Sequence, residues 1–317
     1  MKLCIIGPGA MEIPPKGWGA VEILIHDVRC QLENLGHEVV IVNTRDKQEI
    51  IRQANAINAD FVHVHYDEHI DVVPYLTCDN VAITSHYGYL DQFHRWDDGY
   101  KKLAVQFLNS FVNIFALSSS IANVYCRIGV DFSRLQVVHN GVREDLFRFD
   151  SDCLHEDRSL YLAKIDFRKR QHAFQSVPNI YFAGNLADPR FNATSSRYLG
   201  EWSKEYLYEN LTNYANLALL SDGEAHPLVC LEALVAGLGI VISEFSTANL
   251  DLSLPFIDVI PESRITDLDH VAQVLRENRK RSVGMREEIR EYGLTFAWSK
   301  VIKDVYLPAV ERVMSKR

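Results

Sequence analysis

Short apolar runs alternate with longer helical-period segments along most of the chain. Residues 3–6 form an unbroken apolar run of strand length that stops at Gly7-Pro8-Gly9. After a polar loop over 12–19, apolar residues recur at Val21, Leu24, Ile25, Val28, Leu32 and Leu35, the spacing of one helix face, and end at Gly36. Residues 39–42 then read as a strand. A strand, a helix and a strand in this order imply a right-handed crossover and a parallel sheet. The pattern continues with a helix over 47–58, strands over 61–65 and 81–85, a helix over 100–111, a strand over 114–118, a helix over 121–128 and a strand over 135–138.

Between Arg143 and Ser159 the apolar period is lost and charge accumulates, which marks an interdomain linker. A second series follows: strand 160–163, a helix near Gln171, strand 180–183, helix 203–214, strand 217–220, a helix opening at Pro227 or Leu228, strand 240–242 and helix 267–278. The last helix, 298–314, is amphipathic and is expected to kink at Pro308. The predicted domains are 1–147 and 148–297, with 298–317 crossing back to the first. The fold class is α/β, two Rossmann-like doubly wound domains. Ligands of such sheets bind at the carboxyl ends of the strands, so the functional cleft is expected between the domains.

A length of 317 residues agrees with two cores of about 150 residues each. The 33 basic and 42 acidic residues give a net charge of −9, which removes the basic field that nucleic-acid binding needs. Six cysteines without metal-ligand spacing suggest a reducing, cytoplasmic setting. The opening apolar run is too short for a signal-peptide core, and no run approaches the ~20 residues that span a bilayer. Membrane contact is therefore expected to be peripheral.

Four constellations carry candidate chemistry. In 221–244, SDGEAHPLVCLEALVAGLGIVISE, Glu224 stands in a polar turn and Glu232 inside the following helix, with seven residues between them. By residue type alone the pair fits a charged turn and a solvated helix position as well as a site. In 164–170, KIDFRKR, four cations follow a strand and form a local anion site in an acidic protein. The loop 14–22, PPKGWGAVE, sets Gly17 and Gly19 at a strand-to-helix turn, where backbone can approach a ligand. His86 lies at a strand end in Thr84-Ser85-His86-Tyr87-Gly88, where a capping or packing role is equally open. Gly7-Pro8-Gly9 is not a dinucleotide fingerprint, because Glu12 stands where the third glycine belongs; this disfavours an oxidoreductase. Asp267 and Asp269 open a helix and read as capping charge rather than a metal pair. His63, His65 and His69 lack a clear fourth partner for zinc.

The order G-E-x-H-P-L-V-x-L-E-A-L-V-A-G-x-x-I-V-x-S-E resembles the E-x7-E region of family 4 retaining glycosyltransferases of the GT-B fold (glycosyl transferases group 1). P-P-x-G-W-G-A-V-E is similar to that family's first-domain glycine loop, and Asn140-Gly141-Val142 to the segment before its linker, although His139 stands where proline is usual. The resemblance assigns Glu232 to the donor ribose, Glu224 and His86 to the donor sugar, and Lys164, Lys169, Arg168, Gly17 and Gly19 to the donor diphosphate. Lys164 and Lys169 occupy places that carry arginine and lysine in the family, so the first loses the bidentate fork but keeps the charge. Glu224, His86 and Lys169 are then the catalytic candidates. The implied activity is retaining, metal-independent transfer of a hexosyl group from a nucleotide-diphosphate sugar, without further cofactor, to a hydroxyl of a carbohydrate or lipid-linked acceptor, as in polysaccharide biosynthesis. A nucleotide-sugar 2-epimerase of the same fold and a catalytically silent sugar-nucleotide-binding subunit are the alternatives. For the acceptor, Tyr89, Phe93 and Trp96 in the aromatic loop 87–100 are the candidates.

Overall fold

The computed structural model describes residues 1–315. The chain divides into two compact units, Met1–Gly141 with the described residues from Trp298 on, and Val142–Ala297.

In the first unit the chain runs β1 (Lys2–Ile6), α1 (Ala20–Asn34), β2 (Glu38–Val42), α2 (Lys47–Ile57), β3 (Phe61–Val64), β4 (Val81–Ile83), α3 (Asp98–Asn109), β5 (Asn113–Ala116), α4 (Ser119–Arg127) and β6 (Leu135–Val137). The strands pair in parallel in the order β2-β1-β3-β4-β5-β6. β1, with Leu3 to Ile6 fully buried, reads as an apolar run because a central parallel strand is covered on both faces. The helices begin where short polar side chains take their first N–H groups: Asp46 for α2, Asp97 for α3 and Ser118 for α4. A 3-10 run, Asp67–Tyr75, fills the connection from β3 to β4, where the apolar period predicts no element.

The expected kink of the final helix takes a different form. It is built of an α-helical turn, Trp298–Val301, a π-helical segment, Ile302–Tyr306, and an α-helical segment, Leu307–Met314. Pro308 has no N–H to return to the carbonyl four residues earlier, and the irregularity falls in the wider turn just before it. Tyr306 on this segment hydrogen-bonds His63 of the same unit at 3.2 Å.

The second unit runs β7 (His155–Leu162), β8 (Ile180–Ala183), α5 (Lys204–Asn210), β9 (Tyr214–Leu219), α6 (Leu228–Val235), β10 (Gly239–Ser243), β11 (Ile257–Ile260), α7 (Leu268–Val283) and α8 (Arg286–Gly293). Its sheet is parallel, in the order β11-β10-β9-β7-β8. β7 starts inside the stretch read as linker. Its first half is polar and largely exposed, which is why no apolar period marks it. The helix expected near Gln171 is only a 3-10 turn, Gln171–Phe174. The helix expected over 203–214 stops at Asn210, because Tyr214, Ala215 and Asn216 belong to the buried strand β9. β11 and α8 are additional to the sequence reading. Asp267 caps α7 by accepting the His270 N–H at 3.0 Å.

Candidate functional site

In the second sheet β7 is flanked by β8 on one side and β9 on the other, so the chain order reverses between β7 and β9. That is the switch point where open α/β sheets hold ligands. The turn after β7 carries the cation cluster, and the turn after β9 carries Glu224.

The two turns are fastened to each other by groups that the sequence reading did not single out. The buried Tyr161 hydroxyl, on β7, donates to the Lys169 carbonyl and accepts the Leu220 N–H at 2.9 Å. Arg170, in the left-handed region at φ 58°, turns its guanidinium onto the Leu220 carbonyl at 2.9 Å, the Ser221 carbonyl at 2.8 Å and Glu262 at 2.6 Å. The Asp222 N–H donates to the Arg168 carbonyl at 2.9 Å. Arg170 is thus a fastener, although it stands among the four cations read as an anion site. Nothing in a linear sequence signals bonds between residues some 50 positions apart.

Within this frame Lys169 Nζ donates to Glu224 Oε1, and Arg168 Nη1 lies 2.9 Å from the same oxygen. The Lys169 N–H donates to Asp166 Oδ1 at 2.9 Å, which fixes the turn. The Glu224 side chain is 9% exposed. Burial pushes its carboxyl up, but Lys169 and Arg168 beside it pull it down further, and the balance lies below the ordinary carboxylate value. Lys164 is exposed at the end of β7. Gly184 lets β8 approach this end: at φ 148°, a Cβ there would lie 1.9 Å from the Ala163 carbonyl oxygen.

α6 opens at Leu228 with Pro227 as its N-cap, and Cys230, Leu231, Ala233, Leu234 and Val235 are buried. Glu232 is the only charged residue of the helix and sits with Leu228 and Val229 on its half-exposed face. The buried Cys230 thiol is pushed up by burial and then by the Glu224 carboxylate, with Lys169 and Glu232 also acting on it. The structure therefore gathers Glu224, Glu232, Lys169 and Arg168 around one end of the second sheet.

The remaining candidates lie in the first unit. Gly17 is exposed with open space where a Cβ would stand, and Gly19 is the N-cap of α1, where a Cβ would meet Glu22 Oε2 at 2.9 Å. His86 is half-buried, its Nε2 3.2 Å from Nδ1 of the buried His65, and burial pushes it down to about 4. Trp96, expected among the acceptor candidates, is largely covered. It is 8% exposed, donates to the Tyr89 carbonyl at 3.0 Å, and packs against Phe93 and Tyr100, so its faces are taken by its own loop. Phe93 is 38% exposed, and Tyr89 is half-buried beneath the Arg95 guanidinium at 4.3 Å. His63, His65 and His69 do not converge as ligands, and no metal-holding group of three or more such side chains occurs among the described residues.

Neither a family model nor a curated protein matches the chain. Solved structures do. HepE from Anabaena, in complex with UDP and glucose, superposes with a TM-score of 0.74 at 12% identity, over 98% of this chain and 100% of that one. The fold is GT-B. Sucrose-phosphate synthase from Thermosynechococcus elongatus gives 0.73 at 15% identity over 98% of both chains. AviGT4, a glycosyltransferase involved in avilamycin A biosynthesis, gives 0.71 at 17% identity over 100% of this chain and 98% of that one. The GT-B architecture extends over the whole described length, and no described helix is long and apolar enough to cross a membrane.

Proposed function

We propose that this chain is a glycosyltransferase that moves a sugar, with retention at the anomeric carbon, from a nucleotide-diphosphate donor to an acceptor hydroxyl. The observation that carries the reading is the Lys169–Glu224–Arg168 cluster at the switch point of the second sheet. A GT-B fold shared with a UDP-sugar-binding structure supports it. Cleaving the anomeric C–O bond leaves negative charge on the departing diphosphate. Fixed cations where that charge grows lower the barrier without reorganisation. Lys169, Arg168 and Lys164 supply them in this reading, so no metal or other cofactor is invoked.

The acceptor oxygen bonds to the anomeric carbon on the face the diphosphate leaves, and its proton passes to the departing phosphate oxygen. Glu224 contacts the donor sugar and Glu232 the ribose hydroxyls. Gly17, Gly19 and His86, on the first unit, are assigned to the donor phosphates and sugar by resemblance. Tyr89 and Phe93 are the acceptor candidates, with a carbohydrate or lipid-linked acceptor and a cytoplasmic site of action. The test is a thermal-shift panel of UDP, GDP and ADP and their sugars, followed by assay of nucleotide release with and without carbohydrate acceptors. A ligand at a hundred times its Kd stabilises by ~2.7 kcal/mol, which such a panel resolves. Absence of any nucleotide response sinks the proposal. Conversion of the donor sugar without an acceptor selects the epimerase reading, and binding without turnover the silent subunit.

A further inference from the structure

At the carboxyl end of β3 lies a buried histidine that the reaction above does not use. His65 is 3% exposed, and its Nδ1 stands 3.2 Å from His86 Nε2, with the two rings near-parallel at 15°. Behind it His63 packs at a ring separation of 3.9 Å. Both nitrogens of His63 are committed, Nδ1 to the Tyr306 hydroxyl at 3.2 Å and Nε2 to Thr84 Oγ1 at 2.9 Å. His65 Nε2 is buried and has no hydrogen-bond partner among the described residues.

We propose that His65 positions His86: it takes His86 Nε2 and fixes the ring as the neutral tautomer protonated at Nδ1, so that His86 meets its ligand as a hydrogen-bond donor. The inference rests on the reading of His86 as a donor-sugar contact.

One proton serves the bond between the two rings, and it has two places to come from. If His86 donates from Nε2, His65 accepts at Nδ1 and must carry its own proton at Nε2, as a buried N–H with nothing to receive it. If His65 donates from Nδ1, the atom left bare is a lone pair. Orphaned buried N–H groups are rarer in folded proteins than under-satisfied acceptors, which selects the second arrangement. A doubly protonated ring is disfavoured because burial lowers both histidines, with His63 and His86 adding to the effect at His65. The bond a histidine makes at one nitrogen sets the state of the other. His86 then offers an uncharged N–H to a sugar hydroxyl oxygen, held in direction by a ring that is itself wedged against His63.

The experiment uses the full chain with ring-15N-labelled histidine. Long-range proton–nitrogen correlation spectra, assigned with single histidine replacements, should show His86 protonated at Nδ1 in the ligand-free protein. Protonation of His86 at Nε2 overturns the proposal, and this spectrum decides even if variants misfold. H65F keeps an aromatic ring and removes the donor. It should leave His86 as a mixture of tautomers and lower turnover of the nucleotide-sugar found in the panel by about tenfold, the scale of one hydrogen bond, with KM unchanged. H65N, which returns an N–H near the Nδ1 position, should recover most of that loss. Unchanged turnover and an unchanged tautomer in H65F overturn the assignment. The expected tautomer in a protein that binds no nucleotide-sugar leaves the positioning intact and defeats the proposed function instead.

Discussion

Lys169 and Glu224, fifty-five residues apart in sequence, form an ion pair at the carboxyl ends of the adjacent strands β7 and β9. Neither side chain is more than 11% exposed. Removing Lys169 leaves the buried Glu224 carboxylate against Arg168 alone. K169A is expected to lose about 3 kcal/mol of stability, measured by urea unfolding, and about a hundredfold or more in turnover. The acid limb of the stability curve should change as well. The Glu224 carboxyl is held below its ordinary value, so its contribution is complete above that value and is lost as pH falls through the lower folded one. In E224Q this part of the acid loss should disappear. An unaltered acid limb would show that the pair is not formed in solution.

Glu224 and Glu232 should separate by ligand. E232A is expected to weaken binding of the free nucleotide about ten- to a hundredfold, the scale of one charged hydrogen-bonding group. E224A should spare free nucleotide and impair transfer. Calorimetry with the nucleotide, alongside turnover, distinguishes the two, and equal behaviour of the variants defeats the division of roles.

Turnover should persist in EDTA. In this reading the charge on the departing diphosphate is met by Lys169, Arg168 and Lys164. A strict divalent-metal requirement in the same assay would remove the cation cluster as the principal source of that stabilisation.

Asp67, buried at the start of the 3-10 run in the first unit, behaves in the opposite sense to Glu224. Burial pushes its carboxyl up from 3.8 to about 7, against hydrogen bonds from Ser85 and Tyr100 that lower it. A raised carboxyl destabilises the folded chain progressively as pH rises from the unfolded value to the folded one. D67N is therefore expected to be more stable than the parent at pH 8, by a few kcal/mol at most, with the gap closing as pH falls from 7 towards 4. Urea midpoints at pH 8 and pH 5 measure this, and a gap independent of pH would contradict it.

Gly184 tests the geometry at the end of β7 without touching a charged group. G184A places a Cβ against the Ala163 carbonyl in a backbone region side chains disfavour, at a cost of about 1–3 kcal/mol or more. The shift of Ala163 should carry Lys164 with it, so nucleotide affinity is expected to fall together with stability.

The alternating strands and helices were legible because central parallel strands such as β1 and β10 are buried on both faces and so read as apolar runs. β7 was misplaced at its start because its first half projects polar, exposed residues beyond the covered part of the sheet. β11, Ile257–Ile260, lies at the sheet's edge with only its two end residues buried, so it offers too short a pattern and no strand period. At the site, Glu224 and the cations were readable by type and spacing. Their mutual pairing was not, because it depends on strand order, which brings β9 beside β7. Tyr161 and Arg170 looked like a strand residue and one more cation. Only the tertiary contacts show them as fasteners. The burial of Trp96 has no signal in the sequence, because an aromatic residue in a polar loop looks available until its own neighbours cover it.

The first unit is discontinuous in sequence, whereas Val142–Ala297 is contiguous. On a ribosome the contiguous unit can complete its sheet as soon as it emerges. The amino-terminal sheet has all its strands within residues 2–137, but its unit is complete only when Trp298 and the residues after it arrive, because the hydroxyl that occupies His63 Nδ1 is carried by Tyr306, 243 residues later. Until then His63 lies behind His65 with one nitrogen unmet. A chain truncated before the final helix would therefore be expected to keep a folded second unit while exposing the first to proteolysis.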